Sequence, residues 1–294
     1  MASKTVSTRV MVISDTHEHS FNGATMPEVD LLIHTGDLTN FGEKNALANA
    51  VKMIGTIQAE LKLVIAGNHD VTLDPIPRVR NMSEQEYAVY HKDAVEIWTG
   101  PAATEAGIRY LEEGTHDFTL INGAKFTVYA SPYTPGDGSS GWAFQYQRSE
   151  DRYNNPDQVL PNTTSIATNP IPSSGVDIVM THGPPYSILD NKFGCRNLLH
   201  AVSRTRPLVH CFGHTHEGHG ANLVTWTPDG SVKHPEKATP LETDEINQYP
   251  YACEWPVKAG QQTLMVNAAI MMNTSTGMKP RNRPFVLVLE LPCQ

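Results

Sequence analysis

Four imidazoles, His210, His214, His216 and His219, fall within ten consecutive positions of the stretch LVHCFGHTHEGHG (208–220). Imidazole nitrogen binds borderline divalent metals and moves protons near neutral pH. Other groups able to hold a metal stand at intervals upstream: Asp15 and His17 in SDTH, Asp37 in TGD, Asn68 and His69 in GNHD, and His182 in THG. His214 and His216 lie two apart just past an apolar run, so in extended chain their side chains face the same way. Carboxylate and amide oxygens mixed with imidazoles suit Mn, Fe or Zn better than a calcium cage or a thiolate site. The set Asp15, His17, Asp37, Asn68, His182, His214 and His216 exceeds what one tetrahedral ion uses. Two ions ~3.5–4 Å apart, sharing a bridging carboxylate, would use all of it and clamp both oxygens of a phosphoryl transfer.

The elements that must position these groups recur. Each candidate follows a short run rich in Val, Ile and Leu: TRVMVISD (8–15), DLLIHTGD (30–37), LKLVIAGNHD (61–70), VDIVMTHGPP (176–185) and RPLVHCFGHTH (206–216). Such runs, ended by turn residues, predict buried strands, as do AKFTVYASP (124–132) and RPFVLVLELPC (283–293). Helices are predicted over 43–61, 83–100 and 195–205; Ser83 and Glu86 have capping-box spacing, and Gly100-Pro101 closes the second. Strands alternating with helices argue a layered α/β fold, and parallel strands gather their carboxyl ends along one edge, where scattered ligands converge.

The 294 residues are read as one domain, 1–294, with long loop insertions at about 134–175 and 227–262 that are rich in Gly, Pro, Ser, Asn and Thr. A net charge of -9 with no Lys/Arg-rich block gives no support to a groove for long nucleic acid. No run reaches the ~18–20 apolar residues of a membrane span, and the N-terminus lacks a secretory apolar core. Cys195, Cys211, Cys253 and Cys293 are widely spaced without a CxxC pair, which predicts reduced thiols in a cytoplasmic protein.

The ordered set D-x-H (Asp15, His17), G-D (Asp37), G-N-H-D (Asn68 to Asp70), a His before Gly (His182) and G-H-x-H (His214, His216) resembles the calcineurin-like metallophosphoesterase superfamily. The fuller stretches HTGDLTNFGE, VIAGNHD, THGPP, NKFGCRNLL and HCFGHTHEGHG are similar to its class III phosphodiesterase, or metallophosphoesterase-domain, branch. The resemblance implies a two-sheet β-sandwich flanked by helices. It implies that Asp15, His17 and His216 hold a first ion, Asn68, His182 and His214 a second, with Asp37 bridging and manganese favoured. It implies that His69 is no ligand but meets the phosphate and protonates the leaving oxygen. The reaction expected is hydrolysis of a small phosphodiester, a cyclic nucleotide being the class the branch suggests, or of a phosphomonoester, by in-line attack of a metal-bridging hydroxide.

Several side chains carry two readings. Asp70 either orients the His69 ring as a catalytic partner or caps a turn. Trp142, with Tyr133, Phe144 and Tyr146 in 131–147, either stacks on a substrate ring or packs in the core. Arg196 either pairs with a phosphate or makes a surface ion pair. His34 and His210 are expected to pack or to hydrogen-bond behind the ligands, and His219 to do this or face the site. His19, His91, His116, His200 and His234 are expected to be solvated or packed. Two rival functions stand beside phosphoester hydrolysis: a catalytically weak metal-binding scaffold that docks a protein through 227–262, and a nuclease of the same superfamily.

Overall fold

In the computed structural model, which describes residues 4–77, 82–136, 141–227, 239–240 and 247–293, the apolar runs form strands. In chain order the main ones are β1 (Thr5–Ile13), β2 (Val29–His34), β3 (Ala59–Val64), β4 (Ile108–Tyr110), β5 (Gly114–Thr119) and β6 (Lys125–Ser131). They are followed by β7 (Ile178–Thr181), β8 (Val209–Phe212), β9 (Gly220–Thr225), β10 (Gln262–Asn267) and β11 (Phe285–Pro292). One sheet runs β11-β1-β2-β3-β4, with the short Cys253–Glu254 strand beyond β11. Its strands β1 to β4 are parallel, and β11 lies antiparallel to β1. The second runs β9-β10-β8-β7-β6-β5, with Thr239–Pro240 on the β9 edge; β6, β7, β8 and β10 are parallel.

Strand alternation explains the layering. Val10, Val12, Leu31, Ile33 and Leu63 turn inward to meet Val128, Ile178, Met180, Val209 and Val266 of the other sheet. Met11, Ile13 and Leu32 turn outward under helices α1 (Lys44–Gly55) and α2 (Glu84–Thr99), where Leu47, Ile54 and Trp98 cover them. A short helix α3 (Pro101–Glu105) follows, and α4 (Arg196–Thr205) covers Val179, Phe212 and Met265 on the far face of the second sheet with Leu198, Ala201 and Val202. Because both faces of each central strand are buried, the strands read as continuous apolar runs. The result is the expected αββα sandwich.

Helix α2 begins at the capping box of Ser83 and Glu86 as the spacing predicts. Helix α1 is shorter than the predicted 43–61: the Thr56 hydroxyl donates to the Met53 carbonyl at 2.7 Å, and Ala59 to Leu61 already belong to β3. Strands β4, β5, β9 and β10 are not among those predicted: β4 is three residues long and β5 is an edge strand with alternating exposure, whereas β10 is a buried central strand that follows directly on the loop-like 227–262 region. The 134–175 region holds short strand pairs, Thr134–Gly136 with Gln145–Gln147 and Glu150–Asp151 with Thr164–Ser165. Much of 227–262 lies outside the described residues. No helix among the described residues is long and apolar enough to cross a membrane.

Candidate metal centre

The carboxyl ends of β1, β2, β3, β7 and β8 meet at one edge, because the two sheets are joined there. Ser14 bridges to Ala269 and accepts the Ile270 N–H at 2.9 Å, and within the second sheet the Gly213 amide donates to the His182 carbonyl at 3.0 Å. The first-sheet loops are laced together in turn: Asp15 N–H donates to the Gly36 carbonyl at 2.9 Å and His17 N–H to the Asp37 carbonyl at 3.0 Å. Asp15 (φ 51°), His17 (φ 43°), Asp37 (φ 52°) and His214 (φ 66°) all adopt left-handed backbone. Non-glycine residues held there cost on the order of 1–3 kcal/mol each, and such strain collects at functional sites. Two glycines are required by crowding: a Cβ on Gly213 would run into the Asp15 carboxylate, and one on Gly67 into that of Asp37.

Three groups of donor atoms result: Asp15, His17 and His216; Asp37, His182 and His214; and His17, Asp37 and His69, the atoms within each lying within 4.8 Å of one another. Asp37 belongs to two of them and faces both sides, with Oδ1 3.3 Å from His182 Nε2 and Oδ2 3.6 Å from His17 Nε2. On one side His216 Nε2 lies 3.3 Å from Asp15 Oδ1 and 3.3 Å from His17 Nε2. On the other, Asn68 Oδ1 lies 3.0 Å from His182 Nε2 and 2.8 Å from His214 Nδ1. Asp15, His17, Asp37, Asn68, His182, His214 and His216 are thus brought together.

The donor chemistry fits cations. His182 Nδ1–H donates to the Thr35 carbonyl at 2.8 Å, so a neutral His182 turns a lone pair on Nε2 toward the Asn68 and Asp37 oxygens. Three acceptors then converge, which only a proton or a metal ion can reconcile. Burial opposes the charge on His182, but Asp37 beside it raises its pKa to about 9. Burial likewise opposes the charges on Asp15 and Asp37, yet the neighbouring imidazoles His216 and His182 hold both carboxyls well below the usual range. Burial lowers His17, and lowers His214 to about 4, which leaves both neutral and able to donate a lone pair.

Behind the ligands, His34 accepts the Gly36 N–H at Nδ1 and places its Nε2 3.0 Å from the Thr16 hydroxyl, between Asp15 and His17. His210 stands 2.8 Å from the hydroxyl of Thr181, next to His182. Both pack and hydrogen-bond as expected. His219 stacks on Phe285 and donates to the Arg283 carbonyl, so it is structural. His91, His116 and His200 each contact a main-chain carbonyl, His19 lies edge-on to Phe21, and His234 lies outside the described residues.

His69 sits at the mouth, edge-on to His17 with ring centroids 4.7 Å apart. Its Nδ1–H donates to the Asn40 carbonyl at 2.9 Å, which directs Nε2 to the centre. That contact corrects the reading of Asp70 as the catalytic partner of His69. The Asp70 carboxylate is fully occupied elsewhere, accepting from the amides of Leu38, Thr39 and Gly67 and from the Thr39 hydroxyl. It ties the loop after β2 to the loop after β3, and burial, with the charge of Asp37, raises its pKa to about 6.

Trp142 lies at the site, its ring centroid 4.0 Å from that of His69, because the Ala143 amide donates to the Asn68 carbonyl at 3.0 Å. Phe144 and Tyr146 are core residues, and Tyr133 packs under the Arg152 guanidinium. Arg196 is a second correction. It donates to the Tyr186 hydroxyl at 3.0 Å and lines a separate cleft of about 440 Å³ with Arg148 and Lys192, which no metal-site residue lines. Sequence reasoning missed Phe41, four residues past Asp37, whose ring lies parallel to Trp142. It also missed the Asn40 carbonyl, since a main-chain acceptor carries no residue signature.

A two-sheet α/β sandwich with Asp, Asn and His gathered at its carboxyl edge is a metallophosphoesterase arrangement. Residues 8–218 match the calcineurin-like phosphoesterase family, and the chain belongs to that family. It is 34% identical over 223 residues to probable rhamnogalacturonate lyase C of Emericella nidulans, a match covering 74% of this chain and 18% of that protein. It is 32% identical over 223 residues to metallophosphoesterase domain-containing protein 1 of Homo sapiens, covering 72% of this chain and 62% of that one. The chain therefore spans less than two thirds of the length of these relatives. Among solved structures it is similar to TT1561 of Thermus thermophilus, with a TM-score of 0.45 and 11% identity over 74% of this chain and 84% of that one.

Proposed function

We propose that this protein hydrolyses a small phosphodiester, or a phosphomonoester, with two divalent ions, manganese first among Mn, Fe and Zn. The observation that carries the proposal is Asp37, whose two oxygens face two separate donor clusters. Asp15, His17 and His216 would hold one ion, Asn68, His182 and His214 the other, and Asp37 both. When bound, such a pair supplies an activated water and neutralises charge on the phosphoryl oxygens.

The remaining work falls to the chain. Thr35 fixes the His182 tautomer through its carbonyl, and Asn40 does the same for His69. With Nδ1 so engaged, His69 presents Nε2 as the atom that meets the phosphoryl group and passes a proton to the departing oxygen. Trp142 packs against that imidazole, its ring tilted by 38° with centroids 4.0 Å apart. The four cysteines are all free, which supports a cytoplasmic setting, and the same reading treats 1–294 as one domain. The test is hydrolysis of bis-p-nitrophenyl phosphate, p-nitrophenyl phosphate and cyclic nucleotides by chelated protein reloaded with Mn. Turnover lost on chelation and restored by the metal supports the proposal; reloaded protein that cleaves none of these with Mn, Fe or Zn refutes it.

A further inference from the structure

Beside His69 the surface turns apolar. Phe41, Val71, Met82, Tyr90 and Trp142 line an open groove of about 600 Å³. The Phe41 and Trp142 rings lie 6.1 Å apart at 11° to each other, and Trp142 packs directly on His69. Phe41 is 60% exposed, its ring centroid 6.5 Å from that of His69, and Tyr90, elsewhere on the groove wall, is 55% exposed. Contiguous apolar surface of this kind marks a binding site more often than idle surface. The described lining holds one cation, Lys44, already bonded to Asp93 at 2.9 Å, with Glu43 beside it.

Resting on the phosphoesterase reading above, we infer that this groove receives the alcohol portion of the ester, and that this portion carries a flat aromatic group. Position gives the reason. The oxygen that leaves phosphorus is the one His69 protonates, so the leaving group lies on the His69 side of the centre, where the rings of Trp142 and Phe41 begin. Water oxygen bonds to phosphorus as the ester P–O bond breaks. The bonding pair departs on the alcohol oxygen, which takes the His69 Nε2 proton, while the proton lost by water returns to solvent or to His69; the products are the free alcohol and a phosphomonoester from a diester, or the free alcohol and phosphate from a monoester. Aromatic walls gain from stacking on a flat ring.

Calorimetric binding to the Mn-reloaded protein tests this without relying on turnover, using inorganic phosphate, methylphosphonate, cyclohexylmethylphosphonate and 1-naphthylmethylphosphonate. The naphthyl compound is expected to bind at least tenfold tighter than methylphosphonate and clearly tighter than the cyclohexyl one. Phe41→Ala and Tyr90→Ala, both at exposed positions, should each remove most of that advantage while phosphate binding stays within twofold. A naphthyl compound no tighter than methylphosphonate, or an advantage unchanged in both variants, overturns the groove assignment and leaves the metal centre standing. Equal binding of the cyclohexyl and naphthyl compounds overturns the aromatic assignment. Phosphate that does not bind, in protein without hydrolytic activity, overturns the phosphoesterase reading and this inference with it.

Discussion

Acid should unfold this protein through two histidines that never touch a metal. His34 and His210 are fully buried, and burial lowers each to a pKa of about 3. In the unfolded chain each takes a proton near pH 6.5, whereas in the fold neither does until about pH 3. Between those values the unfolded state binds more protons, so stability is complete above pH 6.5 and falls as the pH drops. Each histidine costs about 1.4 kcal/mol per pH unit in that window, so at pH 5 the pair removes about 4 kcal/mol. That is a large part of the ~5–15 kcal/mol that holds a typical domain folded. His210→Gln keeps a donor for the Thr181 hydroxyl and cannot titrate. In chelator, with ligand histidines titrating equally in both proteins, urea denaturation between pH 7 and 5 should show the variant losing about 2 kcal/mol less than wild type. Equal pH dependence of the two proteins would refute the argument that a neutral His210 is locked into the fold.

The other expectations concern the site itself. His69→Ala should lower kcat by about 10²–10⁴-fold while bound metal, read by elemental analysis, stays at the wild-type level; a parallel loss of metal would make His69 a ligand. Gly67→Ala drives a methyl group into the Asp37 carboxylate and the His182 ring, so metal content and activity should fall together, and a variant that keeps both would contradict the packing described. Asp70→Asn should loosen metal retention, because one oxygen that joins the β2 and β3 loops is lost, without moving the pH–rate profile. A moved profile with unchanged retention would restore Asp70 as a partner of His69.

The ligand set was legible because a parallel strand's carboxyl end is a fixed place: Asp15, Asp37, Asn68, His182 and His214 each follow an apolar run, and topology does the rest. The start of α2 was legible because its cap is local, Ser83 and Glu86 being three residues apart. Asp70 carries two readings in the sequence because Gly67, near in sequence, is only one of its partners, while Leu38 and Thr39 lie more than thirty residues away and bond through main-chain amides. Arg196 carries two readings in the sequence, a phosphate pair or a surface ion pair, because sequence shows its charge but not the turn at 184–195 that carries it to a different cleft, where it bonds the Tyr186 hydroxyl. Phe41 went unnoticed because a single aromatic in a loop has no period, and only folding sets it beside Trp142.

Metal stoichiometry of wild-type and Asp37→Ala protein tests the centre most directly. Equilibrium dialysis of chelated protein against Mn, followed by elemental analysis, should find about two ions per chain in the wild type and at most one, weakly held, in the variant. Hydrolysis of bis-p-nitrophenyl phosphate should rise with the second ion and be absent from the variant. A wild-type chain that binds no metal, or an Asp37→Ala chain that keeps two ions and full activity, would contradict the account of Asp37 as the carboxylate between two metal sites.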